Sequence, residues 1–483
     1  MGKPSFVANR GGAVDLLSGT PWKRILRFAL PLFIGNLFQQ LYNTVDSVIV
    51  GRWVGHVALA AVGVSAPMLF LLASVFMGVA MGSSILVAQY FGARSEASLR
   101  RTLHTSIVLA LLLGTVLSVI GFVFAPAFLR LLNTPEDAYH LALSYMRILF
   151  IGATWMLLYN MVGGFMRGMG DSRTPLLILI VSSITNIILD LIFVVFFHMG
   201  VAGAAWATII SQFLSAIVAM AALHRLSPLT RISLKELRLS LAATKEIVKL
   251  GFPTAIQQAV MSIGGVIVQG FVNSYGTSMI AAHNVAMRVD MFAVMPVMSF
   301  SMAMVSYTGQ NVGAGRMDRV YLGTKQGVAL CTGITVFMST MMYTFGKYAL
   351  MLFTDDVGTL TAGVMIIRIV VPFYILMAVS QTLGGVMRGA GETVSPMINA
   401  LMMNILVRIP LVLLLNYLFR RAEGIYWSQV GGLVLSAVHM LIVYKRGSWE
   451  KKALARIKAF AQEREDGASG RQGGFGSVPQ QEV

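Results

Sequence analysis

The sequence predicts an all-α polytopic membrane protein, with twelve transmembrane helices in two six-helix bundles related by a parallel pseudo-two-fold repeat. Three observations predict it. Apolar residues gather in blocks of about 20 or more, the length that crosses a bilayer. Basic residues crowd into alternate loops. One half of the chain echoes the other at a shift of 221 residues.

The chain has 483 residues, 56% hydrophobic and 12% charged, with mean hydropathy +0.75. Soluble domains carry about 25% charged residues. A transmembrane β-barrel would instead show short alternating segments. The net charge of +17 is read through the placement of basic residues in loops, not as a nucleic-acid surface. Cys331 is the only cysteine, which excludes a disulfide framework and a cysteine metal cluster. Residues 1–20 hold no short apolar core with a cleavage site, so no signal peptide is expected. Neither a phosphate-binding GxxxxGK[ST] loop nor an HExxH helix occurs, and no catalytic constellation gathers. The chain reads as a non-enzyme without cofactor.

Twelve spans follow in order: 24–51, 57–88, 101–126, 138–166, 174–197, 200–222, 246–275, 278–307, 322–346, 360–387, 395–418 and 424–444. An even number puts both termini on one side. Of 37 Lys and Arg residues, 28 fall at the termini and in the loops on that side, 5 on the other, and 4 within spans. Arg167 and Arg388 count among the loop residues. Both termini are therefore expected in the cytoplasm.

The repeat fixes the organisation. Residues 163–175 read GGFMRGMGDSRTP and residues 384–396 read GGVMRGAGETVSP. The same shift carries Gln89, Gly92 and Ala93 onto Gln310, Gly313 and Ala314, and Arg147 onto Arg368. Pro31 falls one residue out of step with Pro253. Six spans per half make the repeat parallel, about an axis along the membrane normal. The expected units are an N-terminal lobe over 1–223, a connector over 224–248, a C-terminal lobe over 249–445 and a tail over 446–483. The connector, basic and amphipathic, is expected to lie on the membrane surface as a helix. The tail is expected to form a short helix from Trp449 and then to be disordered.

Of 20 acidic residues, only Asp46, Asp190 and Asp290 fall well inside spans. A charged side chain at mid-bilayer costs roughly 2.5–3.5 kcal/mol, so such a group is retained for shelter or for work. At 1.5 Å per residue, Asp46 lies about 30 Å and Asp190 about 22 Å from the basic side. Both fall in the outer half of one bundle. Asn186 shares a helical face with Asp190, and Tyr42 shares one with Asp46. Thr208 lies at comparable depth. Two carboxylates in a low dielectric repel, and a bound proton relieves that, which suits a proton carrier. The same oxygens could hold Na⁺, the one metal ion the sequence invites. A single Asn or Thr in a span more often bonds a neighbouring helix than forms a site. Asp290 reads equally as a counter-charge to Arg288 or Arg408. The 31 Met and 47 Gly residues read first as packing, as at Gly78 and Gly82. A minority of the methionines is expected to line an adaptable cavity.

These features resemble the multidrug and toxic compound extrusion (MATE) family over about residues 20–445. The resemblance rests on span 1 with Pro31, Gln39, Tyr42 and Asp46, on QYFGAR at 89–94, and on GGFMRGMGDSRTP. It extends to NIILD at 186–190, GAAWAT at 203–208, GQNVGAGR and RGAGE. Within the family it is similar to the DNA-damage-inducible (DinF-like) branch. That resemblance implies a cation or proton site in the N-terminal lobe on Asp46, Asn186, Asp190 and Thr208. It implies a kinking role for Pro31, and gating or substrate contacts at Gln39, Tyr42, Tyr145 and Asn160. Asp290 and Arg288 are a possible secondary pair. Another bacterial branch carries an acid in span 7. Here that span holds Gln257 and Gln258 but no acid, which disfavours a cation site of that kind in the C-terminal lobe.

The expected function is secondary active efflux of amphipathic or cationic compounds by antiport with H⁺ or Na⁺. A single copy in the bacterial cytoplasmic membrane is expected, with a small-molecule substrate and no nucleic-acid partner. The alternative is a flippase for lipid-linked oligosaccharides or lipids in the same superfamily, which calls for a more basic central cavity.

Overall fold

The computed structural model describes the backbone of residues 14–419 and 421–472, and the side chains of 14–418 and 421–462. The expectations for residues 1–13 and 473–483 lie outside them. Within the described residues the protein is helical. The N-terminal lobe comprises α1 (Pro21–Ile49), α2 (His56–Ala93), α3 (Glu96–Leu131), α4 (Glu136–Ile151), α5 (Ala153–Gly168), α6 (Arg173–Asp190) and α7 (Gly200–Leu226). The C-terminal lobe comprises α8 (Leu241–Asn273), α9 (Thr277–Gly313), α10 (Met317–Met351), α11 (Val357–Val370), α12 (Tyr374–Gly389), α13 (Val394–Leu401), α14 (Arg408–Phe419) and α15 (Glu423–Arg446). A last helix, α16, spans Ser448–Gln472.

These elements make the twelve spans. Ten helical segments are long and apolar enough to cross a bilayer, and α4 with α5 forms an eleventh, bent by 49°. The twelfth is α1, 29 residues long and too polar to pass on hydropathy. Its polarity anticipates the site. The outer surface is apolar, with Phe70, Val123, Phe124, Phe196, Phe337 and Tyr417 all exposed. Such a surface suits lipid, whose tails are as apolar as leucine.

Local chemistry sets the helix ends. Pro21 occupies the first turn of α1, where its missing N–H costs nothing. Ser240 caps α8 by accepting from the Ala243 amide, and Asp356 caps α11 from the Thr359 amide. The repeat extends to backbone conformation. Gly55 and Gly276 carry φ of 108° and 89° at equivalent hairpins, and Gly170 and Gly391 carry 93° and 90°. Each position needs a residue without Cβ.

We call the end carrying Pro21 and Arg446 the basal face and the opposite end distal. The lobes meet along the basal half. Gly78 packs against Gly251 and Ala255, and Gly82 against the Ile247 carbonyl, so α2 and α8 touch backbone to backbone. The cores also exchange elements. Ile25, Phe28 and Ala29 of α1 join the C-terminal core, while Ile247 and Leu250 of α8 join the N-terminal one. Val14 and Leu16 precede α1 and are buried in the same seam.

Two differences from the sequence reading concern the basal face. The connector is not a surface helix. Residues 227–240 form an extended chain with short turns at Pro228–Thr230 and Leu234–Glu236, and the helical part of the motif is the start of α8. Pro228 and the successive Ser caps explain the break. The tail helix runs on to Gln472, through residues expected to be irregular. It is docked on both lobes. Phe460 lies edge-on to Tyr90 of α2 at 5.6 Å, Arg456 pairs with Glu246 of α8 at 3.1 Å, and Lys452 pairs with Glu392.

Candidate functional site

The distal part of the N-terminal lobe brings the acids together. Asp46 lies one turn before the end of α1, and Asp190 ends α6. Each is followed by a π-helical segment, Val50–Val54 and Leu191–Phe196. An i→i+5 turn widens the helix and shifts the side-chain register, and such turns gather at functional sites. No feature of the apolar runs at 50–54 and 191–196 announced them.

The two carboxyls lie close enough to act on each other electrostatically. Oδ1 of each acid is buried and accepts no hydrogen bond among the described residues. Asn186, with its amide nitrogen turned to the acid, donates to Asp190 Oδ2 at 2.8 Å, and its oxygen accepts from the Thr208 amide at 3.1 Å. The Thr208 hydroxyl donates to the Ala204 carbonyl at 3.0 Å, and Tyr42 stands beside it. Tyr145, buried, stands beside Tyr42 and both acids. An apolar collar of Ile49, Val50, Leu149, Val194 and Ala205 backs the group. Two acceptor oxygens without donors, inside an apolar collar, are what a proton or a small cation would satisfy.

The other expected residues divide. Gln39 reaches Asn43 at 3.5 Å along the face of α1 that leads to Asp46. Pro31 is buried further toward the basal face, and α1 is continuous through it. Asn160 stands apart. Its amide donates to its own helix at Met156 O, 2.8 Å away, and it lines a small cavity at the seam.

Asp290 belongs to a separate cluster in the C-terminal lobe. It accepts from the Tyr374 hydroxyl and lies near Arg408, which donates to Gln429 at 2.8 Å without pairing with the acid. His283 meets Tyr426 at 3.1 Å beside them. Arg288, two positions from Asp290, is exposed on another face and takes no part.

Arg167 and Arg388 are a correction. They are not solvated loop residues. Both end helices that pack into the seam, and Arg388 is buried, donating to Gln257 Oε1 at 3.2 Å and to Ser301 Oγ at 2.7 Å. The 221-residue shift that matched them was the available signal; their place just past the ends of two apolar blocks made them read as loop residues.

The comparisons with known proteins agree with this architecture. The MatE family model matches twice, over residues 31–192 and 253–414, once per lobe. The probable multidrug resistance protein YoeA of Bacillus subtilis (strain 168) is 32% identical over 446 residues, covering 90% of this chain and 96% of that protein. The probable multidrug resistance protein NorM of Thermotoga maritima is 26% identical, covering 89% and 94%. The multidrug export protein MepA of Staphylococcus aureus is 23% identical, covering 88% and 93%. In fold, the chain is similar to a multidrug resistance MATE transporter of the MOP superfamily solved in an outward-facing conformation. The TM-score is 0.84 at 24% identity, over 93% of this chain and 99% of that one. The lobes, their repeat and these matches define a two-bundle membrane transporter fold. The chain belongs to the MatE family.

Proposed function

We propose that the protein expels amphipathic, often cationic compounds across the bacterial cytoplasmic membrane by antiport with H⁺ or Na⁺. The observation that carries the proposal is the pairing of Asp46 and Asp190 in one buried cluster, each with a donorless buried oxygen. The names of the relatives support efflux as the direction of transport.

On this reading the basal face is cytoplasmic, as the basic residues there favour. One copy alternates between an arrangement with the basal seam closed and one with it open. A proton or Na⁺ arriving from the distal side occupies the acid pair, with Asn186, Thr208 and Tyr42 completing its shell. Pro31 leaves the Arg27 carbonyl without its helical partner, so α1 yields there first. Because α1 also holds Ser299 of the other lobe through Asn36, at 3.0 Å, a bend reaches the seam. The gradient supplies about 2.3 kcal/mol per charge per 100 mV.

The test is export of a cationic dye from proteoliposomes under a pH gradient and, separately, a Na⁺ gradient. Asp46→Asn is expected to abolish gradient-driven export while leaving the protein folded. Undiminished export by the folded variant refutes the proposal, and the gradient that works identifies the ion.

A further inference from the structure

The seam holds a guanidinium that nothing neutralises. Arg167, partly buried at the end of α5, lines a cavity of about 40 Å³ with Asn160 and Ser84. The apolar walls come from both lobes, including Met77, Met81 and Met302. No acid lines it. Among the described residues the Arg167 side chain makes no hydrogen bond and no ion pair.

The repeat supplies the control. Arg388 is the equivalent residue of the other lobe, and it is engaged by Gln257 and Ser301. Ser301 maps onto Ala80 under the shift of 221, and the packing agrees: Gly385 abuts the Ser301 carbonyl as Gly164 abuts that of Ala80. The shorter of the two bonds that hold Arg388 thus has a methyl group in place of its acceptor beside Arg167. A charge without partner in a packed seam is costly even when only partly buried, and an ionisable group at membrane depth marks a working position by default. If Arg167 served packing alone, Ala80 would be the costly choice.

We propose that Arg167, with Asn160, forms a subsite for the anionic group of an amphipathic substrate, a carboxylate, sulfonate or phosphate. Arg guanidinium matches such groups with paired, charge-assisted hydrogen bonds. The methionines shape the apolar part of the ligand. The cavity holds no more than waters in the closed arrangement. Its Arg167 precedes Gly168, whose carbonyl Gln310 caps from the opposite lobe at 2.9 Å. When that contact parts, Arg167 is among the first side chains uncovered from the basal side. The inference rests on the efflux reading and extends its substrate class from cations to zwitterions and anions.

The test measures proteoliposome export of two probes, a permanently cationic dye and a carboxylate-bearing fluorescent amphiphile. Arg167→Gln is expected to lower export of the carboxylate probe at least tenfold and of the dye less than twofold, with Arg167→Lys recovering part of the loss. Ala80→Ser restores the acceptor seen beside Arg388 and is expected to weaken the carboxylate probe alone, severalfold in KM. Equal effects on both probes, or none on the carboxylate probe in either variant, overturn the subsite. The losses are expected both in phosphatidylcholine vesicles and with phosphatidylglycerol added. A loss confined to the second assigns the anion to a lipid headgroup and overturns the substrate assignment. Absence of gradient-driven dye export by the unaltered protein refutes the efflux reading instead.

Discussion

Gln89 and Gln310 make one hydrogen bond twice. Gln89 Nε2 donates across the seam to the Gly389 carbonyl at 2.9 Å, and Gln310 Nε2 donates in the opposite sense to the Gly168 carbonyl at 2.9 Å. The pseudo-two-fold axis passes between them. Both carbonyls lie at helix ends, where the ladder leaves acceptors free. Distal to the Asn36–Ser299 and Gln258–Met77 contacts, no hydrogen bond joins the lobes among the described residues. The closure is therefore basal.

Because the two bonds are equivalent, Gln89→Ala and Gln310→Ala are expected to cost the same. A buried hydrogen bond contributes about 1 kcal/mol net, and its orphaned carbonyl adds about 1–3 kcal/mol. Thermal unfolding in detergent checks this. A large inequality would mean that the axis is broken at the seam.

The glycines beneath those glutamines set the approach distance. A Cβ at Gly92 would stand 1.9 Å from the Gln310 carbonyl oxygen, and one at Gly313 1.9 Å from that of Gln89. Gly92→Ala and Gly313→Ala are each expected to hold the basal seam open while leaving both lobes folded. Cross-linking of cysteines placed across the seam reads it: the yield should fall in either variant.

Asp46 and Asp190 act on one ion in the proposed mechanism, so their substitutions should not add. Asp46→Asn, Asp190→Asn and the double variant are expected to lose the same share of gradient-driven export. Asp290→Asn, in the other lobe and bonded to Tyr374, is expected to add its effect independently. Export rates under one fixed gradient decide between these patterns.

The tail docks through a charge that pH can remove. Burial pushes the Glu392 carboxyl up, but Lys452 and the Ser395 amide and hydroxyl outweigh it and hold it below the usual range of Glu. A carboxyl lowered on folding contributes stability above its unfolded value, and that stability is lost as pH falls through the folded one. Amide exchange over residues 448–462 should stay slow at neutral pH and quicken only in acid. Lys452→Met should quicken it at neutral pH, by no more than fivefold, since a half-exposed pair contributes about 1 kcal/mol at most.

Much of this was legible from residues alone. All spans but α1 follow from apolar blocks, because a bilayer demands continuous helices and leaves few alternatives. That Asp46 and Asp190 share the outer half of one bundle followed from the rise per residue, and Asn186 and Tyr42 from helical face. Three things escaped. The π segments beside the acids arise from tertiary packing, and nothing in VGRWV or LIFVVF marks them. Asn160 shares a lobe with the acids but points at the seam, which spacing within one helix cannot show. The exchange of α1 and α8 between the two cores follows from the crossing of lobes, which a repeat read along the chain does not contain.

Val14–Gly19 has a consequence for the order of assembly. The Val14 amide donates to the Gly170 carbonyl at 2.8 Å, Asn311 donates to the Leu16 carbonyl at 3.2 Å, and Arg319 donates to the Gly19 carbonyl at 3.0 Å. During synthesis this segment leaves the ribosome before any span, yet two of its three anchors are made 295 and 300 residues later. Since domains fold in the order they emerge, these residues, made before the first span, are among the last seated. They wait for the second lobe to enter the membrane, so their seating marks completion of the whole two-lobed chain.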